Sequence, residues 1–356
     1  MTPIELGLDT FGDVTADAGG RLLPHAEVLR HVIAEAELAD SLGVEFFGVG
    51  EHHRPDFAIS APEVLLAAIA SRTERIRLGT AVTILSTDDP VRVYQRFSTL
   101  DAVSNGRAEV ILGRGSFTES FPLFGYSLDD YDDLFEQKLA IFAALRESDR
   151  TGEPVHWKGT VRSPLEGVRL HPPVERPPLR TWVGVGGSPE SVVRAARYRF
   201  PLTLAIIGGD PRRFAPYVEL YHRALAQLGS EPLPVAIHSP GHLADTDERA
   251  REQLWPAYQV MRNRIGAERG WGPTSRAEFE REIAIGSLYV GSPETVARKI
   301  AGTMQALGVS RFDLKYSAGT MGHELMMRSI ELYGREVIPR VQRLLTPASE
   351  SVLLPS

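Results

Sequence analysis

The stretch that decides the fold is GVEFFGVGEHH, residues 43–53. Residues 45–49 form a short apolar run of the kind that predicts a buried strand. A carboxylate and two imidazoles follow at once, Glu51, His52 and His53. In a parallel α/β protein, the loops beyond the carboxyl ends of the strands build the active site. A pair of histidines is more often one buried and one solvated residue, so a catalytic interpretation depends on the rest of the chain.

The same unit of strand followed by helix recurs along the chain. Eight apolar runs predict strands, at residues 4–8, 45–49, 77–85, 108–112, 181–185, 202–207, 233–237 and 311–315. Helical periodicity between them is clearest at residues 24–42, 62–72, 90–103, 128–146, 189–198, 211–228 and 324–345. Such units imply a parallel sheet covered by helices, and eight of them favour a closed barrel. We therefore predict an α/β fold, an eight-stranded parallel β/α (TIM) barrel, in a single domain over residues 1–356.

Two segments interrupt this rhythm. Residues 153–179 are rich in proline and glycine and predict a surface hairpin with strands at 155–157 and 168–170. Residues 262–286 form a late polar insertion, which is either a lid over a pocket or an idle surface loop. An open doubly wound sheet is the alternative fold. It is disfavoured because the turn after the first strand, residues 9–12, lacks the glycine-rich pattern of a nicotinamide-binding domain.

The composition argues against several classes of function. Of the 356 residues, 43% are hydrophobic and 24% charged, which is enough for a large core. The formal net charge of −7 argues against nucleic acid as a partner, because such binding needs a concentrated basic surface. The absence of cysteine removes disulfides, thiolate nucleophiles and cysteine-based metal sites. No signal peptide and no membrane-spanning stretch are recognised, so we expect a cytoplasmic protein.

Two glycine-rich turns predict a binding site for a phosphate. Arg114 stands between two glycines after the fourth strand, where its guanidinium suits an anion and the glycines let a phosphate approach the backbone. After the fifth strand, Gly187 and Ser188 precede a helix that begins with proline, and a helix N-terminus of this kind binds phosphate. The same tetrapeptide recurs at 291–294, so it could also be no more than a good helix cap.

A phosphorylated cofactor across the top of the barrel, with its reactive end near His52, would account for these motifs. The competing class is a metal-dependent barrel hydrolase, which needs several His, Asp or Glu ligands at the strand ends. Only His238 and His242, after the seventh strand, could join His52 and His53. The sequence therefore predicts no metal site and favours a flat phosphorylated ligand.

The chain resembles the bacterial luciferase-like, flavin-dependent oxidoreductases from residue 6 to about residue 339. The resemblance rests on an ordered series of motifs: GEHH at 50–53, LGTAV at 78–82, DPVR at 89–92, SNGR at 104–107, GRG at 113–115, GSPES at 187–191 and GSPET at 291–295. Each motif is weak alone, but the ordered set is specific. It implies an eight-stranded β/α barrel with an insertion late in the chain.

The resemblance also implies roles for individual residues. The catalytic residues implied by position are His52, which is similar to a catalytic histidine of the family, and Glu51, which is similar to a carboxylate near the flavin ring. The cofactor-binding residues implied by position are Thr80, Ala81, Val82, Arg114, Gly187, Ser188 and Ser191, with Arg114 as the ligand of the phosphate. The peptide bond between Ala81 and Val82 is expected to be cis. The luciferase itself has a cysteine at the position of Gly113, so aldehyde specificity and light emission are not implied.

The activity implied is that of a two-component monooxygenase, which uses reduced FMN and dioxygen to oxidise a small organic substrate. A separate flavin reductase would supply the reduced FMN, and a homodimer is expected from the family. The alternatives are a deazaflavin-dependent dehydrogenase that transfers hydride, and a barrel that binds flavin without catalysis. An apolar or amphipathic substrate is indicated by aromatic residues in the loops, namely Phe11, Phe57, Phe117, Phe121 and Trp271.

Overall fold

Eight parallel strands form a closed ring in the computed structural model, which describes residues 3–346. We number them β1 (Glu5–Thr10), β2 (Phe46–Val49), β3 (Arg77–Thr80), β4 (Ala108–Gly113), β5 (Arg180–Val185), β6 (Leu202–Ala205), β7 (Val235–Leu243) and β8 (Arg311–Lys315). Each strand pairs with the next, and β8 pairs with β1 to close the ring. The predicted closed barrel is confirmed. The single domain predicted over residues 1–356 includes residues 1–2 and 347–356, which lie outside the described residues.

At least one helix follows each barrel strand along the chain. The α-helices within residues 3–346 are α1 (His25–Ser41), α2 (Pro62–Ala70), α3 (Pro90–Val103), α4 (Ser120–Phe124), α5 (Tyr131–Thr151), α6 (Pro189–Arg197), α7 (Ala215–Gln227), α8 (Asp247–Arg269), α9 (Arg276–Ala284), α10 (Pro293–Leu307), α11 (His323–Leu332) and α12 (Ile338–Leu345). In α1 the buried residues Val28, Val32 and Ala36 recur every four positions, as expected of a helix with one apolar face. None of these helices is long and apolar enough to cross a membrane.

The third strand ends earlier than predicted. It was expected to continue to residue 85, but β3 stops at Thr80 and the chain resumes as the short strand Thr83–Ile84, which pairs with β4. The peptide bond between Ala81 and Val82 is cis, as the family resemblance implies. Ala81 and Val82 therefore lie at the carboxyl end of a barrel strand, where site residues are expected.

The late insertion is mostly helical rather than a loop. Residues 262–286 comprise the last turns of α8, a short link and α9. Ser275 begins α9 with a capping box, in which Ser275 and Glu278 bond to each other's backbone amides. The charged residues of this segment conceal its helical periodicity. The earlier insertion forms an antiparallel hairpin, as predicted. Its first strand is Val155–Trp157, as expected, but its second strand is Leu165–Val168 and not residues 168–170.

The SNGR motif at residues 104–107 has a structural role. The guanidinium of Arg107 donates to three carbonyl oxygens at and just beyond the end of α2, those of Ala70 (3.0 Å), Thr73 (2.9 Å) and Ile76 (2.9 Å). The last carbonyls of a helix have no partner within it, so this arginine satisfies them. Asn105 and Gly106 have φ angles of 58° and 79°, which turn the chain from α3 into β4. The motif ties α2 to the barrel and is not part of a binding site.

The amino-terminal end of the barrel interior holds a buried charge cluster, which we call the basal cluster. Arg311 is 1% exposed; its Nε lies 3.0 Å from both carboxylate oxygens of Asp313, and its Nη1 donates to Glu109. The Nε atoms of Arg77 and Arg180 lie 3.5 Å and 3.2 Å from Oε2 of Glu109. Burial alone would raise the pKa of Glu109, but the three arginines outweigh it and hold that pKa below its ordinary value.

Candidate active site

A cavity of about 320 Å³ opens at the carboxyl ends of the barrel strands, and we call it the inner cavity. Its walls come from the strands and from the loops that follow them. Six predicted site residues line it, namely Glu51, His52, Ala81, Val82, Arg114 and Ser191. Three others, Thr80, Gly187 and Ser188, do not line it, although each lies within two residues of a lining residue in the chain. Segments far apart in sequence therefore meet at one place, as predicted, while the roles given to these residues remain predictions.

Arg114 and Ser191 meet in the wall of the inner cavity. Nη2 of Arg114 donates to Oγ of Ser191 over 3.2 Å, and Nη1 donates to a carboxylate oxygen of Asp132 over 2.8 Å. The guanidinium carbon also lies 5.0 Å from the centre of the Tyr131 ring. The Asp132 side chain is 75% exposed, so its attraction for Arg114 is weakened by solvent and another anion can replace it. We call Arg114 and Ser191 the anion end of the cavity.

Ser188 is a helix cap. Its Oγ accepts a hydrogen bond from the backbone amide of Ser191 over 3.2 Å, at the start of α6. Ser292, in the repeated tetrapeptide, caps α10 in the same way by accepting from the amide of Thr295. The tetrapeptide is therefore a cap in both places, as its repetition indicated. Only the first copy brings a serine, Ser191, against the guanidinium of Arg114.

The wall formed by β4 and β5 is packed tightly around Val82. A Cβ atom added at Gly113 would lie 2.6 Å from Cγ2 of Val82, and one at Gly184 would lie 3.0 Å from Cγ1. A side chain at Gly113, cysteine included, would therefore require Val82 to move. Thr80 is fully buried behind this wall, with its hydroxyl 2.9 Å from that of Thr83. It supports the segment without lining the cavity.

Both carboxylate oxygens of Glu51 are engaged. Oε1 lies 2.8 Å from Nε2 of His53, and Oε2 accepts a hydrogen bond from the backbone amide of Ile84 over 3.2 Å. The second bond ties the loop after β2 to the short strand after the cis peptide. His53 itself packs edge-on against Phe124, with ring centres 5.0 Å apart, and does not line the inner cavity. Glu51 thus fixes the loop that carries His52.

His52 is a buried imidazole among aromatic rings. It is 5% exposed, and its ring centre lies 4.5–5.1 Å from those of three side chains, Phe11, Phe57 and Phe117. Nδ1 has no hydrogen-bond partner among the described residues, and the nearest charge to it, Oε1 of Glu119, is 3.7 Å away. The imidazole is held by packing and by its backbone, so its nitrogens are not committed to structural bonds.

Asp9 and His238 form a buried pair in the wall of the inner cavity. The sequence alone did not indicate this pair. Oδ2 of Asp9 lies 2.7 Å from Nδ1 of His238, and both residues line the inner cavity. Burial opposes the charged imidazole, but the charge of Asp9 and its hydrogen bond outweigh this and raise the pKa of His238. Asp313 lies in the same wall, and burial raises its pKa to about 6. The sequence carried one signal that could have indicated these residues: Asp9, His238 and Asp313 occupy inward positions of β1, β7 and β8.

A second cavity of about 150 Å³, the aromatic chamber, adjoins the inner cavity. Both linings include Phe11, Ser116, Ile207 and His238. Of the five aromatic residues predicted for an apolar pocket, four line the chamber, namely Phe11, Phe57, Phe117 and Trp271. Phe121 is instead fully buried and stacks on Tyr131. Trp271 lies in the link between α8 and α9, so the late insertion forms a wall of the site.

The residues of the inner cavity fit a flat, phosphorylated cofactor. The anion end supplies a guanidinium and a hydroxyl for a phosphate, while Ala81, Val82 and Ile111 offer an apolar surface. A Cβ atom at Gly186 would meet nothing within 4 Å, so the backbone is open there. Oδ1 of Asp9 is buried without a hydrogen-bond partner among the described residues, which leaves an acceptor for a ligand. Within residues 3–346, no group of three or more His, Asp or Glu side chains could hold a metal ion.

Sequence comparison gives one family match and related enzymes. The family model described as luciferase-like monooxygenase matches residues 10–311. A 4-hydroxyprotoasukamycin monooxygenase of Streptomyces nodosus subsp. asukaensis is 29% identical over 321 residues, which cover 86% of this chain and 85% of the relative.

Solved structures share the fold over nearly the whole chain. A monooxygenase from Streptomyces bottropensis has a TM-score of 0.81 and 25% identity, covering 94% of this chain and 99% of its own. The oxygenating constituent of 3,6-diketocamphane monooxygenase from Pseudomonas putida, in complex with FMN, has a TM-score of 0.73 and 20% identity, with 96% and 99% covered. An F420-dependent secondary alcohol dehydrogenase in complex with an F420-acetone adduct has a TM-score of 0.72 and 18% identity, with the same coverage.

Proposed function

The chain belongs to the luciferase-like monooxygenase family, and we propose that it uses reduced FMN and dioxygen to oxidise a small organic substrate. One observation carries the proposal. A single cavity at the carboxyl ends of the strands combines an anion end made of Arg114 and Ser191 with the buried imidazole of His52. The first suits the phosphate of a flavin nucleotide, and the second suits proton transfer beside its ring.

The chain's own residues would bind and orient the cofactor and move protons. Reduced FMN, when bound, supplies the electrons with which dioxygen is activated. Arg114 and Ser191 would hold its phosphate, and the apolar segment Ala81–Val82 would support its ring system. The closed barrel wall would keep water away from the reacting atoms.

His52 is the proposed general acid or base. Oε1 of Glu119 lies 3.7 Å from Nδ1 of His52. A buried proton carrier of this kind can deliver a proton to oxygen or accept one from the substrate. Each oxygen of Glu51 is already engaged, one by His53 and the other by the Ile84 amide. Its proposed role is to position the loop.

The proposal includes a separate flavin reductase as the source of reduced FMN, a homodimer and a cytoplasmic location. The reductase and the dimer rest on the family resemblance. The location rests on the composition. All three remain predictions.

A deazaflavin-dependent dehydrogenase is the second candidate, since an F420-dependent alcohol dehydrogenase shares the fold. Two carboxylates disfavour it. Asp132 bonds to Arg114 over 2.8 Å, and Oε2 of Glu190 accepts from Oγ of Ser188 over 2.9 Å. Arg114 neutralises the single phosphate of FMN, whereas the longer acidic tail of a deazaflavin coenzyme would bring further negative charge beside these two carboxylates.

An anaerobic titration of the purified protein with reduced FMN, beside the same titration with F420, tests the proposal. Tighter binding of reduced FMN, followed on admission of air by reoxidation kinetics different from those of free FMN, would support it. Preference for F420 with no reaction towards dioxygen would move the protein to hydride transfer. Binding of flavin without turnover of any substrate would indicate a barrel that binds flavin without catalysis.

The Arg114→Ala exchange is expected to weaken FMN roughly 10- to 150-fold, because a hydrogen bond to a charged group contributes about 1.5–3 kcal/mol. The dissociation constant can be measured by quenching of flavin fluorescence. Riboflavin lacks the phosphate, so its affinity should change little.

The matched control is Asp132→Asn, which removes the carboxylate that now binds Arg114. It is expected to leave FMN affinity unchanged or to tighten it, since the guanidinium loses a competing anion. Equal losses for FMN and riboflavin in Arg114→Ala would contradict a phosphate contact, as would an unchanged affinity for FMN.

A further inference from the structure

One face of α8 forms a wall of the aromatic chamber. The lining residues from this helix recur at helical spacing, namely Leu254, Tyr258, Met261, Arg262, Ile265 and Arg269. The face is apolar along most of its length and carries two arginines towards its carboxyl end. Trp271, just after the helix, continues the same wall.

The two arginines on this face differ from the other three on α8. Arg249, Arg251 and Arg264 each have a carboxylate oxygen within 3.5–3.6 Å, on Asp245, Glu280 and Asp56 respectively. Neither Arg262 nor Arg269 forms an ion pair with any of residues 3–346. The three arginines of α8 that do not line the chamber thus each have a carboxylate partner, and the two that line it have none among residues 3–346.

Nearby carboxylates are committed to other partners. Glu278 lies close enough for its charge to interact with Arg262, but it accepts hydrogen bonds from the amide and hydroxyl of Ser275. Glu268 precedes Arg269 and is bound through both oxygens by Arg54. The two chamber arginines therefore keep their charge available.

The bonds that Arg262 and Arg269 do form leave donors free. The guanidinium of Arg262 stacks 4.5 Å from the Trp271 ring, and its Nε is buried without a hydrogen-bond partner among the described residues. Arg269 lies 5.4 Å from the rings of Phe117 and Trp271, and its Nη2 donates to the carbonyl of Ser116 over 3.0 Å. These cation–π contacts hold both guanidiniums against the aromatic wall of the chamber.

The remaining charged groups of the chamber add no excess of negative charge. Lys315 and Asp13 both line it and pair with each other over 2.9 Å. His238 is paired with Asp9, which belongs to the inner cavity. The lining therefore has a positive excess from Arg262 and Arg269, beside an apolar and aromatic surface.

We propose that the aromatic chamber binds a small organic acid, with its carboxylate on Arg262 and Arg269 and its apolar body among Phe57, Phe117 and Trp271. The chamber volume of about 150 Å³ limits the body to roughly one aromatic ring, since an apolar cavity of about that size holds benzene. Because the two cavities share His238 and Phe11, the acid lies beside the cofactor cavity. That this acid is the substrate rests on the proposed function, whereas the binding of the acid in the chamber does not.

The test compares phenylacetate with phenylacetamide, which has nearly the same shape without the charge. Binding to the full-length protein is measured by calorimetry, with and without oxidised FMN. We expect phenylacetate to bind roughly 10- to 100-fold more tightly than the amide. Arg262→Gln and Arg269→Gln should each remove most of this preference, while Arg264→Gln should keep it, because Arg264 does not line the chamber and lies 3.5 Å from Asp56.

Equal affinity for acid and amide, a preference that survives both exchanges, or no binding of phenylacetate would overturn the proposal. The variants Arg262→Met and Arg269→Met keep an apolar stem against Trp271 or Phe117, so they separate loss of the charge from loss of folding. In these variants too, the preference for phenylacetate over phenylacetamide should be absent. FMN titration of the same samples is a separate readout, so failure of flavin binding and failure of acid binding can be distinguished.

Discussion

The His52→Ala exchange is expected to lower the turnover number about 100- to 10,000-fold, which is the usual contribution of a positioned general acid or base. The imidazole lines the inner cavity, is 5% exposed and has a nitrogen without a hydrogen-bond partner among the described residues. FMN affinity should stay within a few-fold of the original, because the anion end is formed by Arg114, just after β4, and by Ser191 in α6. Turnover is to be measured with an acid accepted by the chamber, and affinity by flavin fluorescence.

The matched control is His53→Gln. His53 is the next residue and is half-buried, but it does not line the inner cavity, and its bond to Glu51 can be replaced by an amide. A loss of less than tenfold is expected, because only the support of the loop changes. If both exchanges reduced turnover equally, His52 would act through the loop structure rather than through its proton. If His52→Ala weakened FMN and left turnover intact, it would be a cofactor ligand.

Local signals in the sequence predicted much of the barrel and part of the site. A buried strand, a helix cap and a glycine turn each depend on residues close together in the chain. The strand that precedes Glu51 and the Ser188 cap could therefore be placed without a structure. The order of the strands then brought Arg114 and Ser191 to adjacent strand ends, where they do form a hydrogen bond.

Interactions between distant residues could not be predicted in this way. Asp9 and His238 are separated by 229 positions, and each alone is an ordinary polar residue in a strand. The insertion after β7 was mistaken for a loop because charged residues dominate it, although α8 buries only one narrow face. The arginines on α8 look alike in the sequence. Only the packing of the helix separates Arg262, which faces the chamber, from Arg264, which pairs with Asp56.

The basal cluster also joins residues that are far apart in the chain, and the largest expected effect on stability comes from changing it. Glu109→Gln is expected to lower the free energy of unfolding by about 3–5 kcal/mol, since it leaves three arginines with only Glu5 and Asp313 to compensate their charges. Glu109 is fully buried and is the more buried of the two carboxylates that Arg77, Arg180 and Arg311 share. Glutamine keeps the shape and removes only the charge. Denaturant unfolding at neutral pH measures the difference.

The pH dependence separates this charge effect from a packing defect. The three arginines hold the pKa of Glu109 below its ordinary value of 4.5, so the folded chain binds that proton more weakly than the unfolded chain does. The stabilisation by Glu109 is therefore present above pH 4.5 and is lost as the pH falls through the lower pKa that Glu109 has in the folded chain. In that pH range, the difference in the free energy of unfolding between wild type and Glu109→Gln should narrow. Glu147→Gln, which breaks an exposed pair with Arg150, should change stability by no more than about 0.5 kcal/mol. A gap that stays constant on acidification would mean that glutamine disturbs packing and that the arginines do not depend on this carboxylate.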